Sequence, residues 1–305
     1  MKVFGPEQTA GLLPHAGLVA AITAILALRR EGRVQAPGRQ HLPLPGQGML
    51  LVMPAACPDL AMTKLVTVHP DNPDHGLPTI QGTVTCLDPA TGQPLGLLDG
   101  PTLTARRTAA LTLLAARHLA GHLLDSGAPL LVAGAGAQAR AHLAALAEMH
   151  GPRETFIWSR SRVRAEALAL EARGFGLDAR AVAHPADVLD RVGLIVTATA
   201  SPAPVIPEDV PDGCFISAVG AFTPDMAEIP AALVRRCRLY ADTLEGVMRE
   251  AGDLLQAGVD FRAVLPLREA LARPAPGPDS RPVLFESVGH AMFDLAACRL
   301  AFGRG

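Results

Sequence analysis

The sequence predicts an α/β protein, a Rossmann-type parallel-sheet domain preceded by an α+β domain. Three observations carry this expectation. At 305 residues the chain exceeds the usual size of one domain. Beyond residue 129, short apolar strands alternate with helical stretches, which is the pattern of a parallel sheet wrapped by helices. Ahead of that region, residues 33–98 break into short apolar runs separated by clusters of Pro, Gly, Asp and Asn.

Taken in order, residues 6–30 carry apolar side chains at helical spacing and end at Gly32, a natural C-cap, so the chain opens with one helix. Apolar runs at 49–53, 61–68 and 79–87, with Pro70-Asp-Asn-Pro-Asp-His-Gly-Leu-Pro78 between the last two, read as meandering strands. Residues 102–124 return to helix, and Asp125-Ser-Gly-Ala-Pro129 breaks it. Strands follow at 130–133, 155–158, 178–182, 192–197, 215–219 and 239–241, with helices running to His150 and Arg173. The Pro-rich stretch 272–282 reads as an exposed loop, and 283–302 as a strand end plus a helix returning to the first domain. The expected domains are therefore 1–115 joined by the helix at 290–305, and 116–289. No repeat of 20–50 residues is visible.

Composition excludes several classes of function. Hydrophobic residues make up 49% and charged residues 18%, and with aromatics at 4% the interior must be filled by Leu, Ala and Val. A formal net charge of −2 without a long basic run argues against a nucleic-acid partner. Cys57, Cys86, Cys214, Cys237 and Cys298 lack CxxC spacing, so they read as reduced core residues rather than a disulfide framework or a metal site. The N-terminus lacks signal-peptide order, and the apolar run 17–28 is too short to span a bilayer. The expectation is a cytoplasmic protein without membrane contact.

A strand, Leu130 to Ala133, feeds into Gly134-Ala-Gly136-Ala-Gln-Ala139 and then a helix, the context that a dinucleotide fingerprint requires. Gly134 permits the tight turn. Gly136, Ala137 and Gln138 would present backbone N–H groups to a pyrophosphate at the helix N-terminus. The alternative is a small-residue turn in an Ala-rich chain. An NAD site places Asp or Glu at the end of the second strand, whereas this chain has Ser159-Arg160-Ser161-Arg162. Guanidiniums there favour a 2′-phosphate, hence NADPH with NADH as the weaker partner; the competing reading is an exposed basic helix start. Thr197-Ala-Thr199-Ala-Ser201 and Ala218-Val219-Gly220-Ala221 end the fourth and fifth strands, where a nicotinamide should lie, or else simply pack there.

Three cations stand in apolar or turn-rich surroundings: Arg39, Lys64 and Arg107. A lysine inside an apolar strand must alternate onto the solvent face or meet an anion, and the pattern alone leaves both open. What links the three is resemblance. Lys64-Leu-Val, Asn72-Pro, Gly76-Leu-Pro-Thr-Ile-Gln81, Asp88, Thr91-Gly92, Asp99-Gly100, Leu103-Thr, Arg107-Thr-Ala-Ala, Gly134-Ala-Gly136, Thr197-Ala-Thr-Ala-Ser201, Ala218-Val-Gly-Ala221 and Ser287-Val-Gly289 resemble the ornithine cyclodeaminase/mu-crystallin family, in order along nearly the whole chain.

That resemblance implies a homodimer whose N-terminal substrate and dimerisation domain pairs with a Rossmann domain, with the active site between them. It implies that Arg39, Lys64 and Arg107 bind the substrate carboxylate, that Gln81 lies nearby, and that Lys64 and Arg107 serve catalysis. The family includes ornithine cyclodeaminases, ketimine reductases and alanine dehydrogenases, as well as mu-crystallin-like binding proteins. Where cyclodeaminases carry acidic residues that engage the substrate amine, this chain matches Phe222 and Leu51. An ornithine ammonium buried without a carboxylate would cost several kcal/mol. The resemblance therefore implies a small cyclic imino acid, Δ1-pyrroline-2-carboxylate or Δ1-piperideine-2-carboxylate, reduced by NADPH to proline or pipecolate. His290 at the start of the last helix could relay a proton or be structural.

Overall fold

The computed structural model describes residues 1–277 and 279–304. The chain runs β1 (Lys2–Phe4), α1 (Pro6–Gly11), α2 (His15–Arg30), β2 (Gln40–Pro43), β3 (Met49–Cys57), β4 (Leu60–Val68), β5 (Ile80–Leu87), β6 (Pro94–Asp99) and α3 (Gly100–Asp125). It continues with β7 (Leu130–Ala133), α4 (Ala137–His150), β8 (Glu154–Trp158), α5 (Arg162–Gly174), β9 (Asp178–Ala181), β10 (Leu194–Thr197) and β11 (Phe215–Ala218). Last come α6 (Ala231–Arg236), β12 (Arg238–Ala241), α7 (Leu244–Glu250), α8 (Gly252–Ala257), β13 (Leu265–Pro266), α9 (Leu267–Ala270), β14 (Val283–Glu286) and α10 (Ala291–Ala301). Two compact units result, Met1–Arg107 with His290–Gly305, and Thr108–Gly289. The division falls inside α3, eight residues before the expected cut at 115/116.

The first unit is built on a six-stranded sheet of order β1-β6-β5-β4-β3-β2, antiparallel except where β1 joins β6. Strict alternation along β4 sends Leu60, Met62, Lys64 and Val66 to a buried face and leaves Leu65 exposed. Helix α10 packs on β3 and β4 and against α2. Leu18, Ile22 and Ile25 of α2, with Phe293 and Leu295 of α10, are fully buried, and burial of each such side chain stabilises by about 1.5–3 kcal/mol. At Gly17 a Cβ would stand 3.1 Å from the tip of the Leu300 side chain, so Leu300 of α10 packs directly over the bare glycine of α2.

The opening helix expected over 6–30 is in fact two. Pro14 adopts an extended conformation (φ −60°, ψ 141°) at the start of α2, and a residue before proline resists the α region, so the chain breaks between α1 and α2. Strands β1 and β2 carry no buried residue, which is why no apolar pattern announced them. The returning helix forms as expected and spans Ala291–Ala301, with Gly305 outside the described residues.

The second unit holds an eight-stranded, wholly parallel sheet of order β13-β12-β14-β11-β10-β7-β8-β9. From β7 the chain steps outward through β8 and β9, then returns to the other side of β7 with β10 and β11. The strand order therefore reverses between β7 and β10, the crevice where such sheets bind ligands. Every residue of β7, β10, β11 and β14 is buried, as a sheet covered on both faces demands. The late strand β14 inserts between β11 and β12. Its neighbouring loop is exposed through most of 272–282, of which Pro278 lies outside the described residues. All five cysteines are buried and unbridged, and no described helix is long and apolar enough to cross a membrane.

Candidate active site

The turn after β7 is shaped for close approach. Gly134 has φ +131°, and a Cβ there would stand 2.5 Å from the Ala198 carbonyl oxygen at the end of β10, so only glycine fits. Its N–H donates to the Trp158 carbonyl at 2.8 Å, fixing the turn to the end of β8. Gly136 caps α4 without a side-chain acceptor, no acidic residue lies in the first turn, and a Cβ at Gly136 would meet nothing within 4 Å. The first-turn N–H groups, including those of Ala137 and Gln138, thus begin a 14-residue helix with no acceptor supplied by the cap. This open, donor-lined end fits a dinucleotide pyrophosphate.

At the end of β8 the serines serve the backbone. The Ser159 hydroxyl accepts from Ser161 N at 3.3 Å, and the Ser161 hydroxyl accepts from Arg164 N, capping α5. Arg162 is drawn along the helix to Glu166, Nε to Oε1 2.8 Å, whereas Arg160 is exposed and makes no ion pair among the described residues. Of the two arginines, Arg160 is the one left available to an incoming phosphate. Thr199, Val219 and Gly220 follow β10 and β11; Val219 N donates to the Thr197 carbonyl at 3.0 Å, whereas buried Glu228 gathers the donors of the other two, Oε1 accepting from Thr199 N at 2.6 Å and its hydroxyl at 2.7 Å, and Oε2 from Gly220 N at 2.7 Å.

In the first unit Lys64 does not reach the solvent face; it is 3% exposed and meets an anion. Its Nζ lies 2.6 Å from Oδ2 of Asp294 on α10 and donates to the Thr104 hydroxyl at 3.3 Å. Arg107 Nε donates to the other oxygen, Oδ1, at 2.9 Å. Burial pushes the Lys64 ammonium down to about 8, with Asp294 opposing and Arg107 and Arg39 adding to the fall. Burial alone would raise the Asp294 carboxyl, but Lys64 and Arg107 hold it below the usual carboxylate value. Two buried cations therefore share one buried carboxylate. Arg107 NH1 is buried with no hydrogen-bond partner among the described residues, a donor that costs about 1–3 kcal/mol to leave empty.

Arg39, half-buried just before β2, acts electrostatically on Lys64 and so belongs to the same group. Leu51 pairs with Val66, two residues from Lys64, and shares its face of the sheet. Gln81 does not join them. It pairs with Thr67, three residues from Lys64, so it lies exposed on the opposite face. Phe222 is half-buried beyond β11. His290 caps α10, its Nδ1 accepting from Met292 N at 3.3 Å, a structural use of the ring.

Asp294 and Glu228 escaped sequence reasoning. Each is a lone acid in an apolar stretch, Ala291-Met-Phe-Asp294-Leu-Ala-Ala and Met226-Ala-Glu228-Ile. Like Lys64, each must find a partner, since a charge at a buried helical or loop position cannot stay unpaired without cost.

The ornithine cyclodeaminase/mu-crystallin family model matches residues 8–304. A "Delta(1)-pyrroline-2-carboxylate reductase 2" of Burkholderia ambifaria is 41% identical over 99% of this chain and 95% of its own length. A "Delta(1)-pyrroline-2-carboxylate/Delta(1)-piperideine-2-carboxylate reductase" of Azospirillum brasilense is 40% identical, with 99% and 95% covered. Among solved structures, the Thermococcus litoralis Delta(1)-pyrroline-2-carboxylate reductase in complex with NADH and L-proline superposes with a TM-score of 0.92 at 25% identity, covering 100% of this chain and 97% of the other.

The shared carboxylate makes a stability prediction. Asp294→Asn leaves two buried cations facing each other and should destabilise by about 3–5 kcal/mol, whereas Lys64→Met keeps the Arg107–Asp294 pair and should cost clearly less. Denaturant unfolding of the two variants checks the order; equal losses would mean that Asp294 is not the balancing charge.

Proposed function

The chain belongs to the ornithine cyclodeaminase/mu-crystallin family, and on that premise we propose that it is a cyclic ketimine reductase. It reduces Δ1-pyrroline-2-carboxylate to L-proline and Δ1-piperideine-2-carboxylate to L-pipecolate, with NADPH as hydride donor. The observation that carries this reading is the excess positive charge around Asp294, with Arg107 NH1 buried and empty beside it. A substrate carboxylate supplies both the missing charge and the missing acceptor. Lys64 and Arg107 anchor it, and Arg39 adds to the field from the sheet edge.

Leu51, half-buried on the Lys64 face, offers apolar area to a ring that carries no distal charge. A cyclodeaminase would have to desolvate a side-chain ammonium, and the positions that resemble its acidic residues carry Leu51 and Phe222 in this chain. The nicotinamide supplies the hydride. The residues of this chain fix the acceptor carbon by holding its carboxylate, which converts a bimolecular encounter into a positioned one. Lys64 Nζ, with its pKa lowered to about 8, holds a proton that it can release near neutral pH. Whether the imine takes its proton from Lys64, from water or arrives protonated, the carboxylate anchor is the same.

A second copy of the chain completes the assembly. The sheet face opposite Lys64 carries Val52, Leu65, Thr67, Gln81 and Thr83, all half-buried or exposed, with Leu65 41% exposed. Val52 and Leu65 pair side by side on this face, and a second copy of the chain would take their apolar area out of water. Gln81 then belongs to the subunit interface. Leu65→Asp should convert a dimer to monomer on light scattering; a wild-type protein already monomeric at micromolar concentration would remove the dimer from this reading.

NADPH oxidation is expected only when one of the two cyclic imines is supplied, and an inert protein with both ring sizes would sink the proposal. Affinity for a planar ring carboxylate that does not itself titrate should fall as pH rises through about 8, where Lys64 loses its charge. Arg160→Ala should raise the NADPH KM by about tenfold and leave the NADH KM nearly unchanged. Equal effects on both cofactors would deny Arg160 a role at the 2′-phosphate.

A further inference from the structure

Buried carboxyls gather at the C-terminal edge of the parallel sheet. Glu228, Asp242, Asp253 and Glu286 are each no more than 1% exposed. Glu286 ends β14 in register with Ala218 of β11 and Ala241 of β12, and neither of its carboxyl oxygens has a hydrogen-bond partner among the described residues. Burial, with Asp253, Glu228 and Asp242 adding to it, pushes this carboxyl well above the usual range. Asp253 Oδ1 accepts from Glu228 N and Ile229 N, each at 2.7 Å, and thereby fixes the backbone that carries Glu228.

Glu228 has the most organised surroundings of the four. Oε1 accepts from Thr199 N and from the Thr199 hydroxyl, and Oε2 accepts from Gly220 N and, at 2.9 Å, from the Thr197 hydroxyl. Thr197 and Thr199 belong to the end of β10, and Gly220 to the end of β11. The segments approach so closely that a Cβ at Gly220 would lie 2.0 Å from the Thr199 carbonyl oxygen and 2.6 Å from Glu228 Oε1. We propose that Glu228 is a positioning residue for the nicotinamide cofactor, its carboxyl stapling the loop after β10 to the loop after β11.

The chemistry of the donors makes a carboxyl the group required. The N–H groups of Thr199 and Gly220 can only donate, so each oxygen must keep an accepting lone pair, while the threonine hydroxyls can reverse direction. A carboxyl meets those demands whether ionised or neutral. Burial raises Glu228 to about 7, with Asp253 adding to the rise and the Thr199 and Thr197 bonds opposing it, so both forms occur near neutral pH and the staple holds in each. An amide of the same shape does not, because its NH2 must face one of the two backbone N–H groups. Asp253 from α8 and Glu286 from β14 are the titratable groups that act on it directly, with Asp242 acting in turn on Glu286.

The inference rests on the reading that Thr199 and Gly220 contact the cofactor, and the test separates the two. In the full chain, Glu228→Gln should weaken NADPH binding by about tenfold, measured by nucleotide fluorescence, and leave the imine KM at saturating NADPH within about twofold. Thr199→Val, which removes one hydroxyl bond and no charge, should weaken NADPH binding by about threefold in the same titration. A folded Glu228→Gln protein with NADPH affinity within about twofold of the unaltered chain overturns the proposal, and so do equal rises for cofactor and imine. If Glu228→Gln does not fold, Thr199→Val decides, and an unchanged affinity overturns the staple. An unaltered chain that binds neither NADPH nor NADH defeats the cofactor reading and the staple with it. An unaltered chain that binds NADPH but reduces no imine defeats only the reductase reading.

Discussion

Two buried cations around a single buried carboxylate set the terms for the first unit. An isolated ammonium at the position of Lys64 would lose its charge, and a lone guanidinium at Arg107 would stand against the strong penalty of desolvation. Asp294 makes both tolerable, one oxygen to each, and the geometry at 2.6 and 2.9 Å leaves its carboxylate no freedom to serve either alone. Everything that holds Asp294 in place is therefore part of the site. Helix α10 is buried along almost its whole length, packs on β3 and β4, and is pinned near its end by Arg299 to Asp59 at 2.7 Å. Two cations against one carboxylate leave an excess of positive charge, and on the proposed reading a substrate carboxylate would balance it.

The second unit solves a different problem with the same kind of group. A parallel sheet ends in loops whose N–H groups have no ladder partners, and at the reversal between β7 and β10 those loops must also leave space for a ligand. Gly134 opens the space by removing a Cβ that would meet Ala198. Glu228 and Asp242 then satisfy the donors from behind: Glu228 joins the ends of β10 and β11, and Asp242 accepts from the Ser287 hydroxyl at 2.9 Å and Gly289 N at 2.7 Å. Acceptors placed this way hold the loops without occupying the crevice.

Much of this was legible in the sequence because it depends on period and on glycine. The alternation of β4, the run of buried strands from β7 onward and the Gly134 turn are local patterns, and the structure keeps them. What escaped was either too short, too exposed or too distant. Strands β1 and β2 bury nothing, so no hydrophobic period could mark them. Residues 6–30 look continuous in hydrophobicity, and only the steric demand of Pro14 on its predecessor divides them. The apolar setting of Lys64 said that a partner must exist or that the side chain must turn outward; nothing local could identify that partner as Asp294, which lies 187 residues beyond even Arg107. Gln81 was grouped with Lys64 by resemblance, and the register, three residues out of phase, sends it to the other face.

A reductase fits this chain better than a deaminating enzyme does. Both chemistries need the carboxylate anchor, and Lys64, Arg107 and Asp294 would serve either. They part at the distal end of the substrate, where an amine must be held as an ammonium by an acid and a closed ring needs only apolar contact. Leu51, half-buried on the Lys64 face, carries no charge, and desolvating an ammonium against it would cost several kcal/mol, enough to reduce occupancy by orders of magnitude. On the proposed reading, specificity would follow from an apolar side chain, Leu51, in place of an acid and from the unbalanced charge at Lys64 and Arg107.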